Sequence, residues 1–158
     1  MNKTVSLIAT TVLLFASHSA HSKESASDSQ GAEKSPDSDL RQLASMPDEA
    51  RQLMREDMLD HLAALNEIYG YLAENNPAAA ADVAETRMGM SAMGRHRASG
   101  KGPGRYMPLE MRNIGHGMHA SASAFSRAAR RGDMRGAYKA LEKVTGACVE
   151  CHYSYRTR

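Results

Sequence analysis

The chain has 158 residues and a formal net charge of +2, from 20 basic and 18 acidic side chains. This near balance gives no electrostatic support to nucleic-acid binding. With two Phe and no Trp, a core must rest on Leu, Met and Ala, or on a large apolar group that is not an amino acid.

The first 22 residues have the layout of a secretory signal peptide. Met1-Asn2-Lys3 is short and basic, residues 5–16 (VSLIATTVLLFA) are apolar, and small residues follow. The apolar run is shorter than the roughly 20 residues that cross a bilayer, so an uncleaved anchor ranks second. We expect cleavage after Ala20 or Ser22, export to the periplasm, and membrane contact only through this segment.

Residues 23–44 are rich in Ser, Asp, Glu and Lys and hold almost no large apolar side chain. Such a segment buries too little surface to offset the entropy of ordering it. The sequence therefore predicts a flexible polar leader over 23–44 and a single domain over 45–158.

The domain begins with two predicted helices. Ser45 is the expected N-cap of the first helix, which carries Pro47 in its first turn and ends near Asn75. Asn76-Pro77 starts a second helix that runs to about Met93. The inward stripe of the first helix recurs every three or four residues: Met54, Met58, His61, Leu65, Ile68 and Leu72.

A Gly-rich basic loop over 94–106 separates these helices from two more. The third helix runs from Pro108 to Arg131, with Gly115 and Gly117 permitting close approach of a neighbour. Its stripe is Met111, Ile114, Met118, Ala122 and Phe125.

Gly132 and Asp133 predict the end of the third helix and the cap of a fourth. The fourth helix has an inward stripe of Met134, Tyr138, Leu141, Val144 or Thr145, Cys148, Cys151 or His152, and Tyr155. Four helices without a convincing strand predict an all-α fold, an antiparallel up-down-up-down four-helix bundle.

Cys148-Val149-Glu150-Cys151-His152 has the spacing of a c-type haem attachment motif. On a helix the two thiols lie on one face about a turn apart, so both can reach the vinyl groups of one porphyrin. His152 can then direct an imidazole nitrogen at the iron. The sequence predicts one covalent haem c, held by Cys148 and Cys151 with His152 as a metal ligand.

Other uses of the two cysteines fit less well. A structural zinc site needs four ligands, and a thioredoxin-like pair needs neighbouring strands. A disulfide across three residues fits helical geometry poorly. Copper binding by the Met- and His-rich stretch over 88–119 ranks below haem, because most of its methionines have helical positions in the core.

The ending CVECHYSYR, from Cys148 to Arg156, resembles that of the class II cytochromes c, the cytochrome c′ family. In that family the haem motif lies near the C-terminus of the last helix of a four-helix bundle, followed by a Tyr-Arg or Phe-Arg pair. The resemblance implies haem near the C-terminal end of helix four, with Tyr155 packed near it and Arg156 near His152.

In an antiparallel bundle the start of the first helix lies beside the end of the fourth. There Arg51-Gln52-Leu53-Met54-Arg55 is similar to the family's first-helix pattern, a basic residue before a Leu-Met pair. The resemblance gives Met54 the distal position, as a sixth iron ligand or as a side chain that only blocks it; core packing is the simpler alternative. The family's basic residue lies four before that position, where this chain has Ala50, so Arg51 or Arg55 takes the role of pairing with a propionate.

Two functions follow from the coordination of the iron. With His152 and Met54 both bound, the protein is an electron carrier for redox partner proteins. With the sixth position open, it is a high-spin binder of nitric oxide or carbon monoxide. An enzyme such as a peroxidase is not expected. It would need a distal acid–base pair, and His61 is the only residue in the sequence that is a plausible member of one. The family also implies pairing of two copies through the first two helices.

Overall fold

The structure is a computed structural model that describes residues 39–158, so the signal peptide and most of the leader lie outside the described residues. This part is mostly helical, which confirms the all-α prediction. The helices are α1 (Asp48–Ala73), α2 (Pro77–Val83), α3 (Leu109–Arg130) and α4 (Met134–Ser154). A π-helical turn (Ala84–Met88) continues α2, and a 3-10 turn (Pro103–Arg105) precedes α3. No helix in this part is long and apolar enough to cross a membrane.

Helix α1 starts later than the sequence predicts. Pro47, and not Ser45, is the residue at its N-cap position, with φ −58° and ψ 154°. Pro47 has a fixed φ and restricts the residue before it to extended backbone, so Met46 cannot belong to the helix. At the other end Asn75 has φ 55°, which ends the helix close to the expected place.

The second helix is shorter than predicted and stops at Met88 instead of Met93. Its cap is as expected, since the Asn76 side chain accepts a hydrogen bond from the backbone N–H of Ala79 at 3.2 Å. The extended backbone of Gly89, with ψ −178°, ends the π-helical turn. Beyond it the backbone N–H of Met90 donates to the buried Ser123 hydroxyl at 2.9 Å, a side-chain partner that replaces a helical carbonyl.

Helices α3 and α4 form a closely packed hairpin. The turn between them matches the prediction, because Gly132 has φ 73° and the Asp133 side chain accepts from the backbone N–H of Gly136 at 2.9 Å. Small residues line the contact and allow the two backbones to approach. The buried side chains here include Ala122, Phe125, Ala129, Ala137, Ala140, Leu141 and Val144.

Some residues that the helical stripes predict to face the core are exposed instead. Tyr138 is 53% exposed and Met58 is 37% exposed, because alanines such as Ala137 and Ala64 occupy the inward positions nearby. Gly115 and Gly117 meet no neighbour, since a Cβ added at either would have nothing within 4 Å. The close approach that these glycines permit is therefore not used by any part of residues 39–158.

The loop after α2 is held to α1 by ion pairs. Lys101 Nζ lies 2.7 Å from Glu49, and His96 Nε2 lies 3.1 Å from Asp57. Arg95 Nη1 lies 3.3 Å from Asp60. Three of the five basic side chains of this loop thus lie against carboxylates of α1.

The folded part begins before Ser45, within the segment that the sequence assigns to the leader. Strands β1 (Gln42–Leu43) and β2 (Tyr155–Arg156) pair in parallel, with Leu43 opposite Arg156. Ala44 is fully buried, and its backbone N–H donates to the Arg156 carbonyl at 2.8 Å. This pairing requires contact between the two ends of the domain, which no local pattern indicates.

Candidate functional site

The two cysteines lie on one side of α4, one turn apart and close to its C-terminal end. Both are free thiols and both are partly buried. The Cys148 thiol donates to the Val144 carbonyl at 3.3 Å, one turn earlier. Burial raises the pKa of each thiol, and the neighbouring Cys148 adds to the rise at Cys151. The motif therefore offers two neutral thiols side by side on a partly buried helix face.

The structure brings the start of α1 to the end of α4. Met54 is 8% exposed and lies in an apolar cluster with Met111, against which Cys151 and Tyr155 pack. Met54 and Cys151 of the cysteine motif thus border the same apolar cluster. The cluster is separate from the main core, where Ile68 and Phe125 lie.

Two arginines carry buried N–H groups without an acceptor. The Nε atoms of Arg51 and Arg156 are both buried and have no hydrogen-bond partner among residues 39–158. Arg51 Nη2 donates to the Met46 carbonyl at 3.3 Å, and the Arg156 carbonyl accepts from Ala44, so both arginines adjoin the methionine cluster. Carboxylates lie near both side chains, since Arg51 Nη2 is 3.0 Å from Asp48 and Arg156 Nε is 3.9 Å from Asp39, beyond hydrogen-bond distance. Buried donors without a hydrogen bond are costly, and a closer anionic group would satisfy them.

The remaining predicted site residues lie at the protein surface or at the edge of the methionine cluster. His152 is exposed on the last turn of α4, and its carbonyl accepts from Arg41 Nη1 at 3.4 Å. Tyr155 leaves the helix with extended backbone and packs on the cluster. Arg55 is exposed on α1, which places Arg51, and not Arg55, next to the cluster.

Three residues at this end of the domain were absent from the predicted site. Met46 is 7% exposed and belongs to the cluster, Met107 packs against it, and Met111 is buried in it. Met46 had a usable signal, because an apolar residue just before a helix often packs back on its first turns. Met107 lies in a loop and Met111 was placed only in the general core, so neither carried such a signal.

A buried histidine on α1 gives the structure a pH dependence. Burial lowers the pKa of His61 to about 4, helped by His119 and Arg95 and opposed by Asp57 and Asp60. In the unfolded chain the pKa is near 6.5, so between these values the unfolded chain binds a proton that the folded chain does not. Stability therefore falls as the pH drops through this window, by up to about 3 kcal/mol.

We expect His61→Leu to remove that loss. The free energy of unfolding, measured by chemical denaturation above pH 6.5 and near pH 4, should fall less in the variant than in the wild type. Carboxylates titrate in both proteins, so the quantity that tests His61 is the difference between the losses of unfolding free energy in the wild type and in the variant. Equal losses of unfolding free energy in the two proteins would mean that His61 is protonated as easily in the folded chain as in the unfolded one.

Among residues 39–158, no three His, Cys, Asp or Glu side chains are placed to hold a metal ion together. Comparisons of the chain with protein-family models, with curated proteins and with solved structures found no match.

Proposed function

We propose that this protein is an exported, periplasmic c-type cytochrome that carries one covalent haem and transfers electrons between redox partner proteins. The observation that carries the proposal is the apolar cluster at one end of the domain, which contains Met54 and against which Cys151 and Tyr155 pack. A haem-attachment motif, a thioether and an apolar surface thus occur together. The proposed arrangement is an antiparallel four-helix bundle with haem near the C-terminal end of α4.

The residues present fit this group. Cys148 and Cys151 supply the two thiols that form thioether bonds, and His152 supplies the imidazole that follows them. The buried Nε donors of Arg51 and Arg156 have no hydrogen-bond acceptor in the described part of the chain, and the carboxylates of haem propionates are acceptors of the kind they need.

The methionine cluster supports electron transfer as the primary function. A bound haem supplies a one-electron couple, and a Met thioether on the iron favours a higher reduction potential. Met54 is the α1 thioether in the cluster against which Cys151 packs. Its buried position restricts its movement, which suits a carrier that changes oxidation state with little rearrangement.

The same cluster supports gas binding as the second candidate. Met46, Met54 and Met111 are all buried and apolar, so a distal side formed by these three side chains would be an apolar surface that admits a neutral gas such as nitric oxide or carbon monoxide. The coordination of the sixth position separates the two functions. We expect the reduced spectrum to be sharp and unchanged by carbon monoxide; a shift on adding the gas would favour the gas binder.

Substituting Met54 provides the matched test. In Met54→Leu the side chain keeps its apolar volume but loses the sulfur, so we expect the reduced protein to bind carbon monoxide and show a high-spin spectrum. Met111→Leu, in the same cluster, serves as the control and should keep the wild-type spectrum. Carbon monoxide binding that is the same in the wild type and in Met54→Leu would remove Met54 as an iron ligand.

We also propose that two copies pair through α1. Met58, Leu62 and Tyr69 are 37%, 65% and 52% exposed, and their spacing places them on one face of the helix. A patch of this kind is a reasonable contact for a second copy. Sedimentation should show a dimer that Leu62→Glu converts to a monomer, and a wild-type monomer at all concentrations would contradict the pairing.

A further inference from the structure

A pair of histidines lies apart from the proposed haem site, between α1 and α3. The ring centres of His61 and His119 are 5.8 Å apart, and the ring planes are at 82°. His61 is only 8% exposed, and its ring takes part in none of the hydrogen bonds found among residues 39–158. Within the described part of the chain, no donor uses the lone pair of this ring.

His119 is oriented as a metal-binding histidine would be. Its Nδ1 lies 2.7 Å from the Met88 carbonyl, and because a carbonyl can only accept, Nδ1 carries the proton. This leaves the lone pair on Nε2 free. A backbone carbonyl that fixes the tautomer in this way is the usual outer partner of an imidazole ligand.

The charges near the pair are already neutralised. Asp57 and Asp60 are the carboxylates that act on His61, and arginines hold both of them. Arg87 Nη2 lies 2.5 Å from Asp60, and Arg95 Nε lies 3.7 Å from Asp57. The donors left for a ligand are two imidazoles, and the carboxylates that act on His61 are already held by arginines, so they do not compensate a divalent charge.

The separation of the rings fits a single bound ion. Metal–nitrogen bonds of about 2 Å to each imidazole place the two ring centres about 5 to 6 Å apart, depending on the angle at the metal. We propose that His61 and His119 together bind one copper(I) ion. A monovalent ion costs less to bury than a divalent one, and copper(I) accepts two soft or imidazole donors, whereas zinc requires about four ligands.

Copper(I) affinity of the full chain tests this proposal. The protein is titrated without oxygen against a chromophoric copper(I) chelator, both as the haem-loaded wild type and in a Cys148→Ser/Cys151→Ser background. The second background removes thiol ligands and covalent haem, so the result does not depend on the proposed function. We expect one equivalent of copper(I) to be bound in both.

Three variants locate the site. His61→Leu keeps an apolar side chain in the core, and His119→Asn keeps a donor for the Met88 carbonyl; each should weaken copper(I) binding roughly 100-fold or more. His116→Asn, at an exposed position of the same helix, should bind as the wild type does. The melting temperature of each variant, measured without copper, checks that it is folded.

Several outcomes would overturn the proposal. Binding of copper(I) at wild-type strength by a folded His61→Leu or His119→Asn would place the ion elsewhere. Failure of the wild type to compete with the chelator would mean that the two rings are only packed together. An X-ray absorption spectrum dominated by sulfur ligands would assign the copper to the methionines instead.

Discussion

Cys148→Ala/Cys151→Ala should lose all covalently bound haem. Thioether bonds require the two sulfurs, and the described part of the chain contains no other cysteine. After production in cells that have the haem-attachment machinery, acid–acetone extraction should remove all colour from the variant and none from the wild type. Either single substitution leaves one sulfur, so we expect reduced but measurable covalent haem in each.

Val149→Ala is the matched control for this experiment. Val149 lies between the two cysteines and is 56% exposed, so its loss changes neither the sulfurs nor the core. The control should retain covalent haem at the wild-type level. Colour that survives extraction in the double variant would show that haem is attached elsewhere or that the pigment is not haem c.

Phe125→Ala should cause the largest loss of stability among single substitutions in the main core. Phe125 is fully buried on α3 and belongs to the same cluster as Ile68, Leu141 and Val144. Removing the ring leaves a cavity that neighbouring helices cannot fill, at a cost of about 3 to 5 kcal/mol. Chemical denaturation, at equal haem content, measures this difference in the free energy of unfolding.

Tyr138→Ala on α4 is the corresponding aromatic control. Because Tyr138 is 53% exposed, its removal should change the free energy of unfolding by no more than about 0.5 kcal/mol. Comparable losses in the two variants would mean that Tyr138 is packed as the sequence stripe predicts. A loss below about 1 kcal/mol for Phe125→Ala would contradict the assignment of Phe125 to a closely packed core.

Local signals were sufficient for most of the helices. Gly132 and Asp133 predicted the turn before α4, and Asn76 predicted the cap of α2, because each acts through its own backbone or its near neighbours. The start of α1 was misplaced because Ser45 resembles a good cap, while Pro47 keeps Met46 in extended backbone and moves the N-cap position two residues later. The end of α2 depends on Ser123, which lies on another helix and could not be identified locally.

The faces of the helices were harder to predict than their bounds. Large apolar residues dominate a periodic pattern, so Tyr138 was placed inside and Ala137 was overlooked. In the α3–α4 hairpin, where the backbones are close, alanines such as Ala137 occupy many of the buried positions. The pairing of β1 with β2 and the inclusion of Met46 in the site join distant parts of the chain, which a single sequence without other information does not specify.

The intact mass of the exported protein tests the central proposal most directly. We expect the mass of the polypeptide cleaved after Ala20 or Ser22 plus the mass of one haem, together with no free thiol. The polypeptide mass alone, with Cys148 and Cys151 both reacting as thiols, would show that this chain is not a c-type cytochrome.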